Sequence, residues 1–417
     1  MNQTNKIWIN AGYVCLAGFF LSTTFSKALA EVLMGAVLFA AVMLFILEKQ
    51  YRRPLPRTAV FWFITSYVMW IIIATFFGTN PGHSLRNLPE ERLFFCIPAV
   101  AVMITTQKRL FTLLDLFGFS VIFIAIYGLI QHFTGVNWYI SEALVKAPTS
   151  GYRIQGFFSH VMTFGNFFGS SALLFLGCAL YARPRKRRVY YYGVMTISGL
   201  TAILSYSRGL LGAVIFALIA FMFLLPRRFL KYTAGMVILF AALVYLAAPD
   251  ILHRHVAELQ EELTAVEDGT RIVVWKTAIR MIEAHPLFGV GKGNYKDNCR
   301  IYRSEKSRQL QTHAHNDWLN IAAVGGIPAL ILFVGTWLAV LVRMKTTIGR
   351  IKEPHPIRGV LMGCLLASLV LFAASFYEAI FDDIEIRLLL TGIWGLFFGA
   401  AALVKKNEET ADDREIA

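Results

Sequence analysis

Charged residues are scarce in this sequence. Only 16% of the 417 residues are Asp, Glu, Lys or Arg, whereas 57% are hydrophobic. A soluble domain carries about 25% charged residues, and the mean hydropathy of this chain is +0.57. This composition excludes a soluble enzyme and indicates an integral membrane protein, whose solvent is the bilayer.

Cysteine is scarce as well. The five cysteines are an odd number, and four of them lie in apolar segments, where a thiol packs as a small hydrophobe. They are Cys15, Cys96, Cys178, Cys299 and Cys364. The sequence therefore predicts no disulfide framework.

The sequence also lacks a continuous basic stripe. Its formal charge of +14 would suit a nucleic-acid partner, but the lysines and arginines form short clusters between apolar segments, without interleaved aromatic residues. We expect no nucleic acid among the partners of this protein.

Apolar stretches of about the length needed to cross roughly 30 Å of hydrocarbon recur along the chain. They predict an all-α integral membrane protein with about 12 transmembrane helices. The stretches lie near residues 7–24, 28–47, 58–77, 93–105, 110–133, 157–182, 189–206, 209–225, 229–247, 316–342, 359–377 and 387–404. The fourth of these is short.

Lysine and arginine concentrate in every second loop between these stretches. Because basic loops stay on the cytoplasmic side, we expect both termini to be cytoplasmic. The long loop before the tenth span is basic too, but long translocated loops are exempt from this rule. The predicted parts are a membrane domain at 1–247 with spans 1–9, a large periplasmic loop with amphipathic helices at 248–315, a membrane domain at 316–404 with spans 10–12, and a cytoplasmic tail at 405–417.

Two helices are predicted inside the large loop. Residues 251–266 place apolar side chains at helical spacing, which is typical of a packed amphipathic helix. A second helix begins at Thr270, whose hydroxyl can cap it. On that helix Arg271 and Arg280 are nine positions apart and point in opposite directions at about 100° per residue. The two arginines cannot serve one site from the same face of a straight helix.

A glycine-rich segment follows at 286–294, with the sequence Pro-Leu-Phe-Gly-Val-Gly-Lys-Gly-Asn. It lacks the glycine spacing of a nucleotide-binding P-loop and the Ser or Thr after the lysine, and no β-α unit surrounds it. The segment predicts a tight loop in which backbones approach closely.

Two histidines, His313 and His315, mark the point where the large loop enters the tenth span. Asn316 or His315 can cap that helix, whose N terminus favours an anion. A histidine titrates near neutral pH, so it can act as a general base or, when charged, bind phosphate. Their spacing would also permit two metal ligands, but no third His or Cys nearby completes a site. We favour substrate chemistry over a structural cap and over a metal site.

Further polar residues lie on the same side in the predicted topology. Charged side chains near the membrane surface are candidates for a functional role. The alternative is that each side chain only extends its charged end to the interface. The polar residues on this side include the arginines Arg86, Arg153 and Arg208, and a polar run of Ser159, His160, Thr163 and Asn166 that is typical of helix packing. An acidic cluster of Glu378, Asp382, Asp383 and Glu385 could hold a metal, orient acceptor hydroxyls or neutralise the arginines.

Several of these segments together resemble the signature of the O-antigen ligase and polymerase superfamily of C-type membrane glycosyltransferases. They are Ser207-Arg208-Gly209, Arg271-x3-Trp275, the glycine-rich segment 286–294, and His313-Ala-His315-Asn316-Asp-Trp-Leu319. Within the superfamily, the ligase is favoured.

The resemblance implies an enzyme of the bacterial inner membrane with a periplasmic active site. It would transfer O-antigen polysaccharide from undecaprenyl pyrophosphate to lipid A-core, with inversion at the anomeric carbon and without metal, ATP or another cofactor. Arg208 and Arg271 would hold the pyrophosphate, with Arg280 as a further candidate, and His315 or His313 would assist the acceptor hydroxyl. We favour His315, and we add Arg153 and Arg86 as candidates for donor binding.

Three alternatives remain open at this point. An O-antigen polymerase and a protein O-glycosylating ligase share the donor and differ in the acceptor. A secondary transporter would also have about twelve helices, but it usually shows internal repeats and polar groups at mid-membrane, and neither is evident here. An anionic lipid A-core acceptor would suit a basic flank, for which the sequence offers Lys292, Lys296, Arg300, Arg303, Lys306 and Arg308.

Overall fold

The structure is a computed structural model that describes residues 3–47, 58–139, 143–148, 150–224, 271–303, 310–351 and 355–416, together with Gly235, Ile238 and Ala242. Across these ranges the fold is all-helical, about 80% helix with no strand, as the sequence predicts. The first nine helices are α1 (Gln3–Ser22), α2 (Lys27–Leu47), α3 (Ala59–Phe77), α4 (Pro81–Asn87), α5 (Leu93–Met103), α6 (Gln107–Thr134), α7 (Val161–Tyr181), α8 (Arg185–Leu204) and α9 (Arg208–Leu224). A 3₁₀ turn at Leu88–Arg92 joins α4 to α5.

The remaining helices of the described ranges belong to the second half of the chain. They are α10 (Arg271–Ala284), α11 (Tyr295–Tyr302), α12 (Asp317–Arg350), α13 (Pro356–Ala374) and α14 (Ile384–Ile416). The predicted helix at 251–266 and the cap at Thr270 lie outside the described residues, as do Lys306 and Arg308.

Seven of the described helices are long and apolar enough to cross a membrane. They are α2, α3, α6, α7, α12, α13 and the Ile384–Lys405 part of α14, and they coincide with predicted spans 2, 3, 5, 6, 10, 11 and 12. Predicted spans 1, 4, 7 and 8 are helical as well, and span 9 lies almost entirely outside the described ranges. The protein is therefore a multi-pass helical membrane protein, and the count of twelve spans stays a prediction.

Helices α7 and α13 lie side by side in the interior of the bundle. In each, 89% of the most apolar window is buried. Their backbones touch at two glycines, since a Cβ on Gly177 would lie 2.2 Å from the nitrogen of Gly363. Small residues allow membrane helices to approach closely, where van der Waals contact drives association. The ends of these two central helices carry much of the candidate site.

Helix α12 is broken at Gly326, which has a φ of 80° and a ψ of 174°. Beyond the break, the N–H of Ile327 donates to the carbonyl of Pro286 at 2.8 Å, and Pro328 has no N–H to give. The carbonyls of Ala323 and Val324 are thus left without their usual helical partners.

The glycine-rich segment supplies those partners. The N–H groups of Val290 and Gly291 donate to the carbonyls of Ala323 and Val324 at 2.8 and 2.9 Å. A Cβ on Gly289 would lie 2.5 Å from the carbonyl carbon of Val324, so only glycine fits there. Phe288 stacks between Trp70 and Phe77 of α3, with ring centroids 5.6 and 4.4 Å away. The predicted tight loop with close backbone contact is confirmed.

Lys292 lies in a partly buried ionic cluster and not in an exposed basic flank. Its side chain, 14% exposed, pairs with Glu91 and with Glu90 at 3.2 Å. Arg387 of α14 binds Glu90 at 3.3 Å and Glu91 at 3.2 Å. Burial alone would raise the pKa of the Glu91 carboxyl, but Lys292 and Arg387 outweigh it and lower the pKa to about 2. The prediction that Lys292 contributes to an acceptor surface is wrong.

Candidate functional site

The candidate site lies at one end of the bundle, where several helix ends meet. These are the first turn of α10, the segment 310–316 before α12, the link 375–383 between α13 and α14, the first turn of α7, and the turn between α8 and α9. Loop charges predict that this end is extracytoplasmic.

The carboxylate of Glu378 lies between Arg271 and His315. Its Oε1 accepts a hydrogen bond from a terminal nitrogen of Arg271 at 2.7 Å. Its Oε2 is 3.5 Å from the Nδ1 of His315. The side chain of Glu378 is 13% exposed, while those of Arg271 and His315 are 29% and 33% exposed. A cation, a carboxylate and an imidazole therefore share one partly buried cluster.

His313 packs against His315 and supports its backbone. The two rings are nearly perpendicular, with centroids 4.3 Å apart, and the N–H of His315 lies 3.3 Å from the Nδ1 of His313. Burial, with the charges of His315 and His160, lowers the pKa of His313 to about 4, although Glu378 opposes the shift. His313 is consequently neutral at pH 7 and can accept that hydrogen bond.

His315 has an unusual backbone conformation. Its φ is 49°, in the left-handed region that few residues other than glycine enter. Such strain clusters at functional sites when the surrounding structure imposes it. The side chain is held loosely by comparison, since its Nε2 is 3.4 Å from the Oε1 of Gln311. The chain thus fixes the backbone of His315, whereas each ring nitrogen makes only a long contact, Nδ1 with Glu378 and Nε2 with Gln311.

Asn316 joins α12 to the link after α13. Its Oδ1 accepts a hydrogen bond from the N–H of Leu319 at 3.0 Å, so it is the N-cap of α12. Its Nδ2 donates to the carbonyl of Phe376 at 3.0 Å. The N–H of Asp317 donates to the carbonyl of Ser375 at 2.9 Å. The predicted cap is confirmed at Asn316, and the same residues fix the histidines relative to Glu378.

The remaining acidic residues have separate partners. Asp382 accepts from the side-chain amide of Asn320 at 3.2 and 3.1 Å, and Asp383 accepts from the hydroxyl of Thr163 at 2.6 Å. Partial burial of the Asp383 side chain is the main cause that raises its pKa to about 7. Over the described ranges, no group of three or more His, Cys, Asp or Glu has an arrangement that could hold a metal ion.

Arg153 and Arg208 form a neighbouring pair. Arg153 donates to the carbonyls of Ser205 and Tyr206 at 2.9 and 3.3 Å, which anchors it on the turn before Arg208. Burial and the positive charge of Arg208 lower the pKa of Arg153. The turn lies beside the Glu378 link, since a Cβ on Gly209 would be 3.2 Å from the Cβ of Tyr377.

The other two arginines proposed from sequence lie elsewhere. Arg280 donates to the carbonyl of Tyr302 at 3.2 Å and thereby links α10 to α11. Arg86 is exposed on α4, a helix held to the glycine-rich segment through His83 and Asn294, whose side chains are 3.0 Å apart. The structure brings together Arg271, His313, His315 and the Arg153–Arg208 pair, but not Arg280 or Arg86.

The sequence alone names two further members of this cluster, Glu378 and His160, without singling either of them out. Glu378 was one of four acidic residues with three possible roles, and its contact with Arg271 matches the neutralising role. His160 was assigned to helix packing, yet it precedes α7 and its charge reaches His313. The one sequence signal for either residue is the predicted topology, which puts the loops of Glu378 and His160 on the same side of the membrane as His313 and His315.

These observations define a multi-pass helical membrane protein with a cluster of arginines, histidines and a carboxylate at one end of its bundle. A family model described as O-antigen ligase matches residues 193–334, a stretch that contains Arg208, Arg271, His313 and His315. The match covers about a third of the chain, and it shows that this stretch is similar to the O-antigen ligase family. No curated protein matches the sequence.

Proposed function

We propose that the protein is an O-antigen ligase of the bacterial inner membrane, active in lipopolysaccharide biosynthesis. It transfers O-antigen polysaccharide from undecaprenyl pyrophosphate to lipid A-core at the periplasmic face, with inversion and without a metal ion. The observation that carries the proposal is the cluster of Arg271, Glu378 and His315, whose first and last members lie inside the matched family region.

The donor requires fixed positive charge where its pyrophosphate departs. Arginine presents planar forks that bind phosphate oxygens in pairs, and preorganised cations stabilise charge that develops in the transition state. Arg208, Arg153 and Arg271 are placed around one end of the bundle and supply this charge. The undecaprenyl chain stays in the lipid beside the apolar helices, so only the head of the donor enters the site.

The acceptor requires a base. In the proposed reaction His315 takes the proton of the acceptor sugar hydroxyl through Nε2, while the acceptor oxygen forms a bond to the anomeric carbon of the donor glycan. The bond from that carbon to the pyrophosphate oxygen breaks at the same time, and undecaprenyl pyrophosphate leaves with the electron pair. Attack opposite the leaving group inverts the anomeric centre.

The proposal is tested by transfer assays with purified protein, undecaprenyl-pyrophosphate-linked glycan and lipid A-core in the presence of EDTA. We expect wild-type protein to transfer the glycan, and His315→Ala, Arg208→Ala and Arg271→Ala each to lose about 100-fold or more of kcat/KM. Lys276→Ala is the matched control, because Lys276 is an exposed cation on the same helix as Arg271. Unchanged transfer by all three variants would refute the assignment of the site.

The closest rival function is an O-antigen polymerase, which uses the same donor. The exposed basic side chains Lys296 and Arg300 of α11 favour an anionic acceptor such as lipid A-core, even though Lys292 is paired within its ionic cluster. Growth of the glycan on undecaprenyl pyrophosphate in the same assay would favour the polymerase.

A further inference from the structure

We propose that Glu378 is a positioning residue that couples donor binding to the base: it pairs with Arg271, and it orients His315 once the pyrophosphate of the donor has taken Arg271. The proposal rests on the proposed function and specifies how that site is regulated.

The geometry of the carboxylate is the starting point. One oxygen makes a short charge-assisted hydrogen bond to Arg271, at 2.7 Å. The other is 3.5 Å from Nδ1 of His315, which is too long for a good hydrogen bond. Glu378 is therefore bonded mainly to Arg271, and its contact with the imidazole beside it is weak.

The backbone allows the side chain of Glu378 to move alone. The N–H groups of Tyr377 and Glu378 both donate to the carbonyl of Ala374, at 2.9 and 3.0 Å, which continues the last turn of α13. Asn316 holds the same link at the carbonyl of Phe376. Because the backbones around Glu378 and His315 are bound together, a side-chain shift of about 0.5 Å closes the second contact to hydrogen-bonding distance.

The pyrophosphate is a stronger partner for Arg271 than a single carboxylate. It carries more negative charge and offers oxygens for both arms of the guanidinium fork. When it binds, the carboxylate of Glu378 loses its cation and turns to the nearest remaining donor, the Nδ1–H of His315. That bond fixes the tautomer with the proton on Nδ1, so that Nε2, which lies 3.4 Å from the side-chain oxygen of Gln311, carries no proton and can accept that of the hydroxyl.

The other titratable groups that face this cluster do not take over this role. His313 on the segment before α12 has its pKa lowered to about 4 by burial and stays neutral. Asp383 in the link before α14 has its pKa raised to about 7 by burial and is bound by Thr163. His160, before α7, is an exposed base. Arg208, Arg153 and Arg271 are cations. Glu378 is the carboxylate with contacts to both Arg271 and His315.

Loss of the Glu378 charge should therefore raise the affinity for pyrophosphate and lower the rate of transfer. With Glu378→Gln, Arg271 is no longer neutralised, so the purified protein in detergent binds inorganic pyrophosphate about fivefold more tightly. The same variant cannot orient a charged His315, so kcat for transfer falls about 100-fold. The donor KM falls together with the dissociation constant for pyrophosphate.

Glu283→Gln is the matched control, because it removes the same charge from an exposed position on α10. It leaves pyrophosphate binding and kcat at wild-type values. Glu378→Asp keeps the charge on a shorter side chain, so it retains wild-type pyrophosphate affinity and loses about tenfold in kcat. This second variant tests the proposal if the glutamine variant does not fold.

The two measurements separate the outcomes. Weaker pyrophosphate binding in Glu378→Gln, or an unchanged kcat, overturns the coupling, since a residue that only supports the fold would lower both affinity and rate. If Arg271→Ala binds pyrophosphate as wild type does and no variant affects transfer, the proposed function itself fails.

Discussion

The side-chain amide of Asn316 donates a hydrogen bond to the backbone carbonyl of Phe376 at 3.0 Å. This bond crosses from the start of α12 to the link after α13, and the same side chain caps α12 through the N–H of Leu319. The residues that carry His315 and Glu378 are thereby held at a fixed separation. The site depends on this junction as much as on its chemical groups.

Substitutions at Asn316 separate the cap from the crossing bond. Asn316→Asp keeps an oxygen that caps α12 but cannot donate to Phe376, whereas Asn316→Ala loses both interactions. We expect Asn316→Ala to lower the free energy of unfolding by about 1–2 kcal/mol, and Asn316→Asp to lower it less while still reducing kcat. Thermal unfolding in detergent, measured beside transfer rates, checks this. Equal stability of the two variants would contradict it.

Arg153 is expected to support donor binding both by its own charge and by holding the turn before Arg208. Arg153→Ala removes two hydrogen bonds that hold the turn before Arg208, so the donor KM should rise about tenfold. Arg86→Ala removes an exposed arginine of α4 and should leave the donor KM unchanged. Transfer kinetics at varied donor concentration distinguish the two, and an equal effect of both substitutions would contradict the placement of the site.

The break in α12 requires glycine at 326. In Gly326→Ala the new Cβ would lie 2.0 Å from the carbonyl oxygen of Leu287, at a φ of 80°. We expect the free energy of unfolding to fall by about 2–4 kcal/mol. Gly349→Ala, on the same helix with open space around it, should be neutral or slightly stabilising. Melting temperatures of the two variants provide the measurement, and similar values would show that the break tolerates a side chain.

The half-buried carboxyl of Asp383 predicts a pH dependence of stability. Burial raises its pKa from 3.8 to about 7, so the folded protein binds a proton that the unfolded chain releases between about pH 4 and pH 7. The stabilisation is present at low pH and is lost as the pH rises through 7. The melting temperature of Asp383→Asn should therefore exceed that of wild type by more at pH 8 than at pH 5. A gain that is the same at both pH values would contradict the raised pKa.

Signals confined to a short stretch of sequence predicted the structure well. Seven predicted spans coincide with long apolar helices. An apolar stretch long enough to cross the bilayer is by itself a strong indication of a transmembrane helix. The cap at Asn316 and the tight turn around Gly289 were predicted from their own neighbours. The opposite orientation of Arg271 and Arg280 followed from helical periodicity, and the two arginines indeed contact different partners.

Contacts between distant parts of the chain could not be predicted in this way. Lys292 was assigned to an exposed basic flank, but its partners Glu90 and Glu91 come about two hundred residues earlier in the chain. The contact of Glu378 with Arg271 is likewise separated by 107 positions. Loop charge indicates a side of the membrane, but it does not indicate which charges meet there.

The identity of the acceptor tests the central claim most directly. Purified protein is given radiolabelled undecaprenyl-pyrophosphate-linked glycan together with lipid A-core and an excess of unlabelled donor, and the labelled products are separated. If the protein is a ligase, the label appears on lipid A-core in wild type and is lost with His315→Ala. Label that appears instead in lengthened glycan on undecaprenyl pyrophosphate would contradict the account and identify a polymerase.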